Sequence, residues 1–317
     1  MDHGILHVDN NGRYFIFEDG TPYVPVGLNH FLLFRKGSEI DSMVKMWADH
    51  GINYLRIWVG LGADPETEVG RFDERQMVAL DSVVSSCKKY GVYLNVCFWN
   101  DNCILPQKGN WGWNGKEQIY NSENSPLGTT TNADDLKDTL HTPSWNAMKN
   151  RYKYLVERWK NESVVIMWDL VNDSKKSDAW KQGMYNFVRE TDGTGRIITF
   201  QYNTGVDPKG EMDCGSVRVY DYNPSGNDPE EMMLSLAERI RQGIAHGDPV
   251  ICGEGRMNYK EGAQDAVERG FLHFLWAPAA VGAAGNLHSW VSPDKWPDIT
   301  KKELEWMKCF SDFCKTI

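Results

Sequence analysis

Eight times along this chain, a short apolar run rich in β-branched and aromatic residues is followed by a longer stretch, and that alternation narrows the fold more than any other feature. The runs are YVPVGLN from Tyr23, NYLRIWVG from Asn53, VYLNVCFWN from Val92, VVIMWDLVND from Val164, RIITFQ from Arg196, SVRVYDYN from Ser216, PVICGEG from Pro249 and FLHFLWAPA from Phe271. Most are apolar without a break, the pattern of parallel strands covered on both faces. Helical spacing between and after them predicts helices over 39–50, 73–90, 143–160, 176–191, 229–245, 259–269 and 300–314. The stretch 202–215 is too short and glycine-rich for a full helix. Several helices stop at glycine, as at Tyr90-Gly91, where a left-handed cap costs least. Strands returned by helices in this way close as an α/β (β/α)8 TIM barrel.

At 317 residues the chain is within the range that such barrels use as one unit, so 1–317 is expected to be a single domain. Residues 1–20, with VDNNGRYFIFEDG, read as an N-terminal hairpin at the barrel bottom. One connection is far longer than the usual few residues: 101–142, after the third strand, carries NWGWNG and SPLGTTTN. Loops of that length after a barrel strand shape ligand sites.

Composition serves mainly to exclude. Hydrophobic residues at 41% and charged residues at 25% are those of a soluble globular protein, and no window approaches the ~18 apolar residues of a membrane span. The first twenty residues have neither the basic start nor the apolar centre of a secretory signal. A secreted location is expected if a leader has been removed, and a cytoplasmic one otherwise. A net charge of -10 argues against nucleic acid and anionic membrane as partners, leaving a neutral or cationic ligand, and a monomer is expected. Of seven cysteines, Cys97, Cys214 and Cys252 sit in or beside apolar runs as small hydrophobes, so few or no disulfides are expected. The 13 tryptophans suit either a heavy core or the stacking of sugar rings.

Barrels of this kind carry their chemistry at the C-terminal ends of the strands. Those ends read Asn29, Trp58, Trp99 with Asn100, Asn172 with Asp173, Tyr220 with Asp221, Glu254 and Trp276. They hold amides, carboxylates and rings, without a thiol or a metal-binding cluster. A metal-dependent barrel would show His-x-His on the first strand, and a phosphate-binding one a basic partner near GAAGNLHSW; neither pattern is present. Asp173 closes the fourth strand and Glu254 the seventh, across the mouth from each other. Two carboxylates facing a shared bond among aromatic rings are what cleavage of a glycosidic bond needs, one to protonate the leaving oxygen and one to attack the anomeric carbon or activate water. No metal or other cofactor is expected, since proton transfer and carboxylate attack suffice.

From GTPYVPVGLN to the last helix the chain resembles clan A of the glycoside hydrolases, and within it family five, the cellulases and β-mannanases. WDLVND is similar to the family's fourth-strand segment with its Asn and acid/base, here Asn172 and Asp173. PVICGEG is similar to the seventh-strand segment with the nucleophile, here Glu254. Arg56 in NYLRIW, Tyr220 on the sixth strand and Trp276 in FLWAPAAVGAAG match three further positions. The resemblance implies a retaining enzyme on a β-1,4-linked polysaccharide or oligosaccharide, mannan or glucan first; the acidic balance of the chain adds chitosan next, as a cationic polymer. It implies that Asn172 binds the sugar 2-hydroxyl, that Arg56 and Tyr220 keep Glu254 ionised and aimed, and that Trp276 floors the subsite beside the cleaved bond. Trp111 and Trp113 either wall the cleft from the long loop or pack within it; Asp221 is either a substrate contact or a solvated acid.

Three positions depart from the family pattern. The acid/base is Asp173 where the family has Glu, and strand six reads Arg218-Val219-Tyr220 in place of His-x-Tyr. Trp99 and Asn100 stand where a third-strand His is common, as in some β-mannanases. The shorter Asp173 leaves a second reading beside the enzyme: a sugar-binding protein that keeps the cleft but is catalytically impaired.

Overall fold

The computed structural model describes residues 3–30, 33–59, 66–99, 143–172, 176–201, 212–220, 229–256, 264–290 and 299–316, with backbone alone at 201, 217–220, 229–232, 254–256, 264–270 and 287–290. The chain starts with β1 (Leu6–Val8), β2 (Phe15–Phe17) and β3 (Pro22–Tyr23), which form a small sheet in that order, β2 pairing antiparallel with both neighbours. It then enters the barrel: β4 (Val26–Asn29), β5 (Tyr54–Trp58), β8 (Tyr93–Cys97), β9 (Val165–Asp169), β10 (Ile197–Gln201), β11 (Cys214–Tyr220), β12 (Val250–Arg256) and β13 (Gly285–Trp290). All pair in parallel, and β13 pairs back onto β4 to close the ring. Between β5 and β8 a hairpin of β6 (Glu66–Glu68) and β7 (Arg71–Phe72) precedes the helix.

Among the described residues the α-helices that return the chain are α1 (Ile40–Asp49), α2 (Glu74–Tyr90), α3 (Pro143–Trp159), α4 (Asp178–Asp192), α5 (Pro229–Ile244), α6 (Gln264–Ala280) and α7 (Lys301–Cys314), with a 3-10 turn over Leu33–Glu39 before α1. Local sequence sets their ends. Asp73 caps α2 by accepting from the Arg75 backbone N–H, and Gly91 ends it at φ 71°, in the left-handed region where glycine carries no Cβ penalty. Thr300 and Glu303 form a reciprocal capping box at the start of α7. Every residue of β5 and β9 is buried, as strands covered on both faces require. Trp47, Trp159, Trp168 and Trp180 are buried in the main core shared by strands and helices. A second cluster joins Leu6, Phe15 and Phe17 of the N-terminal sheet to Tyr54, Ile166, Ile197 and Ile251, at the N-terminal ends of the barrel strands.

The eighth strand is a correction. The run FLHFLWAPA lies inside α6, and the strand is the later GNLHSW. Phe271, Phe274 and Leu275 are 3%, 4% and 1% exposed while Trp276 is 38% exposed, the i, i+3, i+4 burial of a helix face. Pro278 has no N–H for the Phe274 carbonyl one turn back. Asn286 on β13 fills that gap, its Nδ2 donating to the carbonyls of Phe274 at 2.5 Å and Leu275 at 2.9 Å. At Gly285 any Cβ would stand 2.8 Å from the Pro25 ring, so only glycine lets β13 begin there.

Candidate active site

At the C-terminal ends of β4, β5 and β9 the mouth is organised around a single guanidinium. Arg56 of β5 is wholly buried, an arrangement that requires a paired charge. Its Nε donates to Asp169 Oδ2 at 2.7 Å and its Nη2 lies 2.6 Å from the same oxygen. Nη2 also donates to Asn172 Oδ1 at 2.9 Å, and Nη1 to Asn29 Oδ1 at 3.3 Å. The guanidinium lies 5.2 Å from the centre of the Trp58 ring. Burial pushes the Asp169 carboxyl above its ordinary range, and the charge and hydrogen bonds of Arg56 pull it back.

The Arg56 contact also fixes the orientation of Asn172. A guanidinium only donates, so the amide must turn its oxygen toward Arg56 and its nitrogen away. The backbone N–H of Asn172 donates to the Trp99 carbonyl at 2.8 Å, while Nδ2, buried, has no partner among the described residues. The strand-four end thus presents a fixed, unsatisfied donor one residue before Asp173.

Across the mouth, β12 reaches Glu254 through an irregularity. Val217 of β11 pairs with Cys252 but Arg218 pairs with Glu254, so Gly253 is an extra residue, a bulge of the kind that re-aims a strand beside active sites. The carbonyl of Gly253 accepts from Asn29 Nδ2 at 2.8 Å. Tyr220 stands opposite Arg256 in the backbone register.

Trp99, at the end of the third strand, is 4% exposed and lies 5.1 Å from the Arg151 guanidinium. Arg151 of α3 clamps this side of the mouth, donating to the carbonyls of Phe98 and Val59 and pairing with Glu66 Oε2 at 2.6 Å. Asp173, Asn100, Trp111, Trp113 and Asp221 lie outside the described residues, as do the side chains of Glu254 and Tyr220. Trp276 is not at a strand end: on the outer helix α6 its ring packs 5.0 Å from Phe310 and 5.2 Å from Phe313. The tryptophan that ends strand eight is Trp290, opposite Asn29 in register.

The sequence reading missed Asp169 and, although it named Asn29 as a strand end, gave that residue no partner. Asp169 was legible as a carboxylate inside an otherwise apolar strand, which must find a partner; the role of Asn29 depends on a contact to β12 and had no local signal. Among the described residues no group of His, Cys, Asp and Glu is arranged to hold a metal ion, and no helix is long and apolar enough to cross a membrane.

Comparison with known proteins bears on the family and the fold. The family model described as Cellulase (glycosyl hydrolase family 5) matches residues 17–269. Mannan endo-1,4-beta-mannosidase 5 of Solanum lycopersicum is 27% identical over 219 residues, covering 60% of this chain and 49% of that protein. Mannan endo-1,4-beta-mannosidase 4 of Oryza sativa subsp. japonica is 23% identical over 215 residues, covering 60% and 44%. The chain therefore spans about half the length of the curated relatives it matches. Among solved structures, a Glycoside Hydrolase Family 5 Mannosidase from Rhizomucor miehei superposes with a TM-score of 0.77 at 12% identity, covering 100% of this chain and 99% of that one. At that identity the likeness carries the barrel fold alone.

Proposed function

The chain belongs to glycosyl hydrolase family 5, and from that premise we propose that it hydrolyses β-1,4-linked mannan with retention of configuration. Glu254 attacks the anomeric carbon while Asp173 gives its proton to the leaving oxygen. Asp173 then takes a proton from the water that hydrolyses the glycosyl-enzyme ester. The observation that carries this reading is Asn172: Arg56 locks its oxygen, leaving a buried Nδ2 donor beside Asp173 for a sugar hydroxyl. Such a bond strengthens as the oxocarbenium-like transition state forms. Mannan leads over glucan and chitosan because the relatives named above are mannan endo-1,4-beta-mannosidases.

The short acid sets the expected rate. One methylene less withdraws the carboxyl by roughly 1.5 Å, and general acid catalysis is worth about 10²- to 10⁴-fold. Reducing-sugar release from mannan, carboxymethyl cellulose, xylan and chitosan tests the reading, with Asp173→Glu and Glu254→Gln alongside. Turnover on mannan is expected from the chain as it stands, and none from Glu254→Gln although that variant folds. Turnover by Glu254→Gln removes the nucleophile assignment. Activity confined to Asp173→Glu makes the chain a sugar-binding protein disarmed by one methylene.

A further inference from the structure

We infer that Asn29 is a positioning residue for the nucleophile, the tie through which the Arg56 hub sets the backbone just before Glu254. The inference rests on the reading of Glu254 given above. Asn29 ends β4 and is 0% exposed, and both ends of its amide are used. Nδ2 donates to the carbonyl of Gly253 at 2.8 Å, and Oδ1 accepts from Arg56 Nη1 at 3.3 Å.

Gly253 is a place where a tie matters. It is the extra residue of the β12 bulge, and a bulge leaves one residue outside the regular ladder that would otherwise fix it. It is also pressed against β11, since a Cβ there would fall 1.9 Å from Ser216 Oγ. The peptide that launches Glu254 is therefore held from one side by contact with β11 and from another by the Asn29 amide. The same guanidinium that steadies Asn29 holds Asn172, one residue before Asp173. One buried cation thus indexes the chain on both sides of the mouth, at the residue before each of the two carboxylates in sequence. Nothing in a side chain three residues past Pro22-Tyr23-Val24-Pro25-Val26 advertises that role; it follows from the closure of the ring, which brings β4 near β12 across β13.

The test compares Asn29→Asp, Asn29→Ala and Asn286→Ala with the wild type. Asn29→Asp keeps the size and the acceptor for Arg56 but removes the donor to Gly253. Asn286→Ala removes another buried amide tied to backbone carbonyls, between β13 and α6. Displacement of reacting groups by about 1 Å costs up to about 10²-fold, so both Asn29 variants are expected to lose at least about tenfold in kcat on mannan with KM held within about threefold. Asn286→Ala is expected to lower the melting temperature while leaving kcat within about twofold. Crystal structures supply a readout free of turnover: in Asn29→Asp the Glu254 Cα moves by more than about 0.5 Å relative to Asn172, a displacement large enough to spoil a preorganised site. An unmoved Glu254 backbone, a kcat within twofold of wild type, or an equal kcat loss in Asn286→Ala each overturns the inference. If the wild type turns over none of the polymers, the proposed function falls, and the crystal comparison alone decides the role of Asn29.

Discussion

The three nitrogens of Arg56 reach Asp169, Asn29 and Asn172 in one fork, and a lysine would bring a single atom to the same place. Arg56→Lys therefore keeps the charge and loses the geometry. It is expected to unfold at a urea midpoint nearer the wild type than Asp169→Asn does, yet to turn over mannan more slowly than that variant. Asp169→Asn takes the carboxylate from a pair with both side chains at 0% exposure, a change that costs about 3–5 kcal/mol when one member of a buried pair is removed. A loss below about 1 kcal/mol in urea unfolding would show the pair to be dispensable. His30 makes a prediction in pH. It is 0% exposed, its ring 5.5 Å from that of Trp47, with neither ring nitrogen partnered among the described residues. Burial first, and the charge of Lys36 second, pull its pKa from 6.5 down to about 3. The unfolded chain takes up the proton before the folded one does, so the stability His30 contributes is complete above pH 6.5 and drains away as pH falls toward 3. Between pH 7 and pH 5 the wild type is expected to lose about 2 kcal/mol more than His30→Leu; parallel losses in urea unfolding would contradict it. At this scale the sequence showed Arg56 and Asn172 as site residues because their neighbours match a family pattern. It did not show that Arg56 joins Asn172 to Asp169, because pairing inside a barrel is set by register across strands.

Among the elements, the Ser216 hydroxyl of β11 fills the space beside Gly253 of β12 that a side chain would need. Only Gly253 permits it, with its missing Cβ occupying space 1.9 Å from Ser216 Oγ. Gly253→Ala is expected to cost about 1–3 kcal/mol through overpacking and to lower kcat by shifting the strand that carries Glu254. Adding Ser216→Ala removes the clashing hydroxyl and leaves Ser216 Cβ, 3.3 Å away, as the nearest atom. The double variant should recover most of both losses, giving a coupling energy that a cycle of the two substitutions measures; additive losses would mean the contact is not what excludes alanine. The last strand was misread because apolar weight and burial period part company there. GNLHSW has few apolar residues and is a strand by its pairing between β12 and β4, whereas FLHFLWAPA has the apolar weight of a strand but the burial period of a helix. Runs such as NYLRIWVG were legible because composition and position agree there; in the eighth unit they part, and Trp276 was carried to the wrong element with them.

Across the whole molecule, stability and chemistry are assigned to opposite ends of the barrel. The closed ring and its alternating helices were legible from the sequence because the first seven barrel strands lie in largely apolar runs between helical periods. The long 101–142 stretch, in which the sequence reading placed Trp111 and Trp113, lies outside the described residues. At the N-terminal end the three-stranded sheet packs aromatic rings against the strand starts: Phe17 lies 5.3 Å from Tyr23 and 5.0 Å from Tyr93, and the Tyr23 hydroxyl donates to the Asn53 carbonyl at 3.0 Å. At the C-terminal end the buried groups are the amides and charges around Arg56. In barrels of this kind the N-terminal face serves stability and the C-terminal face carries the chemistry, so a side chain lost from the bottom sheet is expected to lower stability without removing any group of the mouth. Phe17→Ala removes a side chain that is 3% exposed and should cost about 3–5 kcal/mol in urea unfolding. At temperatures where the variant stays folded, its kcat and KM on mannan should remain within about twofold of wild type. A KM or kcat change beyond that would mean the bottom sheet reaches the site through the barrel interior, and the two ends would have to be treated as one cooperative structure.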